Sequence, residues 1–158
     1  MNVLGIETSC DETSASVVNE QGRVLSNVVY TQIAKHQPYG GVVPEIASRC
    51  HVEALPSILR SAIEQSGVGW EGIDLVAATR GPGLVSSLLI GLTAARALAL
   101  QLGRPLAGVN HLEAHLYSIF LSPAAPPPEE SCPMVILLVS GGHTCLVRMN
   151  DAKGDVLR

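Results

Sequence analysis

Two histidines four residues apart, His111 and His115 in the run Asn-His-Leu-Glu-Ala-His, are the pair in this sequence best suited to chemistry. On a helix they share one face and can grip a metal ion through two imidazoles; equally, they can be two hydrogen-bonded or exposed side chains. Glu113 stands two residues from each, on the far side of such a helix, so it does not complete that shell. The run is also not the HExxH of the zinc proteases. Two ligands hold a metal weakly, and the others must come from Asp11, Glu12 or a residue beyond Arg158.

A second cluster, Glu7-Thr-Ser-Cys-Asp-Glu-Thr13, packs hydroxyls and carboxylates into a turn between two β-prone runs. Its amides and hydroxyls can bind phosphate while its carboxylates hold a cation or act as a base; alternatively its side chains satisfy its own backbone. A third run, Leu138-Val-Ser-Gly-Gly-His-Thr144, ends a strand in two glycines that let a ligand approach the backbone, or that simply make a tight hairpin turn. Arg80-Gly-Pro-Gly-Leu-Val-Ser-Ser87 leads into a helix and seats either an anion or a tight strand-to-helix connection; it lacks the Lys-Ser/Thr ending of a P-loop. Beyond it Gly91, Ala95 and Ala99 make a stripe of small residues that suits the core or the helix of a partner.

The elements that must position these groups read as follows. Residues 3–6, 15–18 and 23–30 are β-prone and form an antiparallel meander. Pro44 opens a helix whose apolar residues recur at helical spacing until Gly67, with a kink expected at Pro56. A buried strand over 74–79, an apolar helix over 85–102 ended by Gly103, a strand over 106–109 and a helix from His111 to about Leu121 follow. Three antiparallel strands followed by αβαβα predict an α/β fold, a mixed sheet with helices packed on it. Residues 122–132 hold four prolines and read as an exposed linker, after which a hairpin over 134–149 opens a second domain. The expected organisation is thus 1–121, linker 122–132, and 133–158 as the start of another domain.

With 158 residues, 47% hydrophobic and 15% charged, the chain has a globular composition. A net charge of -4 and five aromatics exclude a global basic field and extensive base stacking, so an RNA partner needs a local patch or a helper protein. Four scattered cysteines without a CxxC pair and the absence of a leader-like start predict reduced thiols and a cytoplasmic location. Polar residues interrupting 84–102 argue for a soluble helix, with no membrane partner.

Taken in order, LGIETSCDETSASVV, GGVVPEIASRCHVEALP, TRGPGLVSSLLIGL, GRPLAGVNHLEAHL and ILLVSGGHT resemble the successive motifs of the TsaD/Gcp family, once described as O-sialoglycoprotein endopeptidases. The resemblance implies an actin/sugar-kinase/Hsp70-like (ASKHA) fold. It also implies transfer of a threonylcarbamoyl group from threonylcarbamoyl-AMP to N6 of the adenosine beside the tRNA anticodon. By similarity, His111 and His115 would bind one iron or zinc ion. Asp11 and Glu12 would take the amine's proton or steer the metal. Leu138, Val139, Ser140, Gly141 and Gly142 would contact the nucleotide, and His143 would donate a hydrogen bond to it. Expected partners are tRNA, a TsaB-like paralogous subunit and a TsaE-like ATPase. Family members have a second full domain, from which a metal-binding aspartate and further nucleotide contacts come, so the chain alone is expected to be inactive. The alternative from another class is a non-catalytic partner-binding module built on the first domain.

Overall fold

The computed structural model describes residues 1–122, 124–140 and 144–151, and the backbone of 156–157. It divides into two compact units, Met1–His111 and Leu112–Arg158. The first is built on five strands and three helices. Strands β1 (Asn2–Glu7), β2 (Glu12–Asn19) and β3 (Val24–Thr31) form the meander; α1 (Ile33–His36) and a 3-10 turn (Gln37–Tyr39) lead to α2 (Pro44–Ser66). Then come β4 (Leu75–Gly81), α3 (Val85–Leu102) and β5 (Leu106–Asn110). The sheet order is β3-β2-β1-β4-β5, with β1–β2–β3 antiparallel and β1–β4–β5 parallel. This is the mixed sheet that the order of elements in the sequence predicts.

Strand alternation chooses the core. Leu4 stands opposite Val17 on one side and Val76 on the other, and Ile6 opposite Ala15 and Ala78; all six are buried. Leu55, Leu59, Ala62 and Ile63 of α2 and Ala95 and Ala99 of α3 close over this face. Each fully buried leucine or isoleucine contributes about 1.5–3 kcal/mol, and the cluster fixes α2 over β2 and β3 and α3 over β4 and β1. Both helices end where Gly67 and Gly103 take positive φ, the left-handed cap that a residue with a Cβ adopts at a cost.

Pro56 does not interrupt α2, which is continuous from Pro44 to Ser66. Pro56 and Val52 both lie on the exposed side, where water can serve the carbonyl that a proline leaves unpaired. The small-residue stripe of α3 faces inward. Ala95 and Ala99 belong to the core, and a Cβ at Gly91 would lie 2.3 Å from Thr8 Oγ1. The stripe therefore seats α3 on the chain's own sheet and is not a partner's docking surface. By length and composition α3 is apolar enough to cross a bilayer, yet Ser87, Leu88, Gly91, Ala95 and Ala99 are buried within the unit.

In the second unit α4 (His111–Ser118), which starts at the last residue of the first, is followed by a 3-10 turn (Ile119–Leu121) and a short α5 (Pro128–Ser131). The stretch read as a linker thus carries one turn of helix. Strands β6 (Met134–Val139) and β7 (Thr144–Met149) pair in the expected hairpin, and β8 (Val156–Leu157) adds a third antiparallel strand that the sequence reading lacks. On this sheet Val135, Leu137, Val139 and Leu146 are exposed while Val147 and Met149 are buried.

The contact at Gly91 yields a stability prediction. Gly91→Ala places a methyl group against Thr8, whose hydroxyl donates to the Ser87 carbonyl at 2.8 Å, and should cost about 1–3 kcal/mol in urea denaturation. A variant as stable as the parent would mean that Thr8 can swing away without loss.

Candidate active site

Strands β1, β4 and β5 run parallel, and Glu7, Ser9, Thr79 and His111 meet at their carboxyl ends, the edge at which sheets of this class present ligands. At the end of β1, Glu7 accepts hydrogen bonds from the Ser9 amide and from Thr79 Oγ1 at the end of β4. His111, directly after β5, brings Nδ1 to 3.3 Å from Glu7 Oε2 and 3.2 Å from Ser9 Oγ. Burial opposes ionisation of Glu7, but the hydrogen bonds from Ser9 and Thr79 and the charge of His111 outweigh it and hold the carboxyl below its ordinary value. An ionised carboxylate can only accept, so Nδ1 of His111 is the N–H donor.

The glycine-rich turn is a spacer. A Cβ at Gly83 would lie 2.6 Å from the Ser9 carbonyl oxygen, and that same oxygen accepts the Leu84 amide at 2.8 Å. The Leu84 amide is therefore spent within the chain, which favours the tight-connection reading of this run. Thr8, on the opposite side of β1 from Glu7, ties the first turn of α3 to the same strand end.

Asp11 and Glu12 belong to the turn between β1 and β2. Glu12 is exposed at the start of β2, opposite Thr31. Asp11 lines a shallow depression of about 340 Å³ with Ile33, His36, Gln37, Gly40, Gly41 and Val42. The neighbouring Cys10 thiol is pushed up to about 11 by partial desolvation and by Asp11, so it is protonated at neutral pH and is no thiolate nucleophile.

His115 shares α4 with His111 but falls in the second unit. Among the described residues no group of three or more His, Cys, Asp and Glu converges to hold a metal ion. Leu138 and Val139 alternate on β6, the first half-buried and the second exposed, paired with Cys145 and Thr144. Their side chains thus leave the sheet on opposite faces, and a ligand meeting both meets them through the backbone. Ser140 is exposed, and Gly141, Gly142 and His143 lie outside the described residues.

Sequence reasoning gave Glu7, Ser9 and Thr79 no individual role. It also missed a buried polar network beneath the acidic turn, formed by Thr13, Gln32, His36 and His51. A signal for the network was present: His51 lies on the apolar side of α2 among Ala47, Cys50 and Leu55, where a histidine needs partners.

A tRNA N6-adenosine threonylcarbamoyltransferase of Syntrophobacter fumaroxidans is 54% identical over 150 residues, covering 95% of this chain and 43% of its own length. The enzyme of that name from Symbiobacterium thermophilum is 56% identical over 147 residues, covering 93% of this chain and 42% of its own. The chain thus spans less than half the length of these relatives. Among solved structures, YeaZ from Pseudomonas aeruginosa superposes with a TM-score of 0.59 at 20% identity, over 92% of this chain and 63% of that one, a likeness of fold. Together with the mixed sheet, it gives the chain the actin/sugar-kinase/Hsp70-like architecture expected from the motifs. The family model of TsaD, tRNA N6-adenosine threonylcarbamoyltransferase, matches residues 23–157, and the chain belongs to that family.

Proposed function

We propose that this chain is the N-terminal half of an enzyme that transfers the threonylcarbamoyl group from threonylcarbamoyl-AMP to N6 of the adenosine adjacent to the tRNA anticodon. In balanced form, N6 bonds to the carbamoyl carbon, the bond from that carbon to the AMP oxygen breaks, AMP departs, and the N6 proton passes to a base. Family membership supports the reaction; the observation that carries the site is the grip of Glu7 on His111.

A metal ion fits the chemistry of that donor. His111 Nδ1 is held by Glu7 and Ser9, the carboxylate–histidine arrangement that orients metal-binding imidazoles elsewhere. His111 and His115 would hold an iron or zinc ion, with further ligands from outside the described residues. A metal there supplies Lewis-acid polarisation of the activated carbamate. Asp11, which lines its depression, and Glu12 are the bases assigned to the N6 proton or to steering the metal. The backbone of Leu138, Val139, Ser140, Gly141 and Gly142 contacts the nucleotide, and His143 donates a hydrogen bond to its phosphate or carbonyl. In this reading tRNA, a TsaB-like subunit and a TsaE-like ATPase are the partners, and the compartment is the cytoplasm. The TsaB-like subunit meets the outward faces of α2 and α3, where Val52, Val85 and Leu89 are exposed.

Two predictions follow from this assignment. Zinc or iron binding by the chain, measured by calorimetry and metal analysis, should be weak and should vanish in the His111→Ala/His115→Ala double variant. Glu7→Gln should weaken it about 10–100-fold. Stoichiometric metal in the double variant would sink the assignment. The second concerns turnover: residues 1–158 should not transfer labelled threonine to tRNA with the adenylate-forming enzyme and partners present, while a full-length relative should. Loss of preorganised groups acts on one transition state and lowers the rate by orders of magnitude. Comparable turnover by the 158-residue chain would show that its relatives' remaining length is dispensable.

A further inference from the structure

Beneath the acidic turn lies a chain of hydrogen bonds between side chains that are almost wholly buried: Thr13, Gln32, His36 and His51 are at most 4% exposed. His51 Nε2 lies 3.0 Å from the Cys10 carbonyl oxygen, and its Nδ1 lies 2.7 Å from Thr13 Oγ1 and 3.4 Å from Gln32 Nε2. At the other end of the amide, Gln32 Oε1 lies 3.0 Å from His36 Nε2, and His36 Nδ1 accepts the Val43 amide at 3.3 Å. The backbone amide of Gln32 donates to the Asp11 carbonyl at 3.0 Å.

These partners admit one arrangement of protons. A carbonyl only accepts, so His51 carries its proton on Nε2 and receives Thr13 and Gln32 at Nδ1. The Val43 amide only donates, so His36 accepts at Nδ1 and donates from Nε2 to Gln32. The result is a directed series, Val43 to His36 to Gln32 to His51 to Cys10, in which each member is satisfied and both rings are neutral. It joins two pieces of chain that wall the same depression: the turn bearing Asp11, and residues 33–42.

We propose that His51 is the positioning residue of the acidic turn, fixing the main chain at Cys10 and Asp11 against the segment 32–43 so that the Asp11 carboxylate is presented at the depression. Its importance for catalysis rests on the assignment of Asp11 above; its effect on the turn does not. Reversing the ring's proton arrangement sets acceptor against acceptor at Cys10 and donor against donor at the Gln32 amide, and truncating the ring leaves the Thr13 hydroxyl and Cys10 carbonyl without the partner they share. Burial, opposed by the Cys10 carbonyl and by the charges of Glu7 and Asp11, lowers the ring's pKa. A histidine lowered on folding takes up a proton on unfolding. The stability from the neutral ring is therefore complete above the ordinary histidine value and is lost as pH falls from there towards the lowered folded value.

The test is nuclear magnetic resonance on the whole 158-residue chain. In the parent, long-range nitrogen–proton correlations should show His51 and His36 both protonated at Nε2. In His51→Ala, exchange of the Gln32 amide, which bonds to Asp11, should accelerate about tenfold or more, the equivalent of one lost hydrogen bond. His51→Gln, which restores a donor, should recover part of that protection. Gln32→Met keeps the volume and should loosen residues 33–43 while leaving the His51–Cys10 link, so the proposal remains open to test even if the alanine variant fails to fold. An Nδ1–H tautomer of His51, or unchanged protection around Asp11 in a folded His51→Ala, overturns the proposal. Asp11→Asn assayed for transfer in a full-length enzyme judges the catalytic assignment separately. Full activity there removes the role of Asp11 and leaves the positioning of the turn standing.

Discussion

The Glu7 carboxylate is where the site end of the first unit is tied together, because three separately positioned donors converge on it. The Ser9 amide comes from the turn, the Thr79 hydroxyl from β4 and the His111 imidazole from the residue after β5. A partly buried carboxylate deprived of such donors costs several kcal/mol, so the ends of β1 and β4 and the start of α4 are held in mutual register by one charge. The sheet beneath has to deliver those ends side by side, which it does through the parallel pairings of β1 with β4 and of β4 with β5. The close seating of α3 at Thr8 and Gly91 serves the same end, because it anchors the connection out of β4 against β1.

Most of this architecture was legible as periodicity. Runs of β-prone residues marked β1 and β2, the 3.6-residue pattern and a terminal glycine marked α2, and an apolar run ended by Gly103 marked α3, which was placed at its observed ends. What failed to show was short or depended on direction. The four residues of α1 and the two of β8 are too few to carry a period. The stripe Gly91, Ala95, Ala99 reads the same whether it meets its own sheet or another protein, and only the approach of Thr8 decides between them.

The site divides along the same line. Residue types at fixed spacing, His111 with His115 and the acids of the turn, stand out in one dimension. Their supports do not: Glu7 and His111 are 104 residues apart, and Thr13 and His51 are 38 apart. Neither pairing has a motif, since each is made by strand order and helix packing. The one sequence-level trace is chemical, a histidine set among apolar residues of α2, which has to be paid for by hydrogen bonds.

Both supports act on the segment between β1 and β2 from opposite sides of the sheet. Side chains alternate across a strand, so Glu7 reaches towards β4 and α4 while Thr13, six residues on and after a turn, faces α2. Glu7 takes up the Ser9 amide on one side, and His51 and Gln32 take up the carbonyls of Cys10 and Asp11 on the other. Backbone groups that would otherwise let the turn rearrange are thereby spent, while Asp11 still lines the depression. A catalytic acid or base needs that combination, a main chain with no freedom to move and a side chain still in reach of a ligand. A hairpin turn satisfied only by its own side chains would have fixed the backbone by using up its carboxylates.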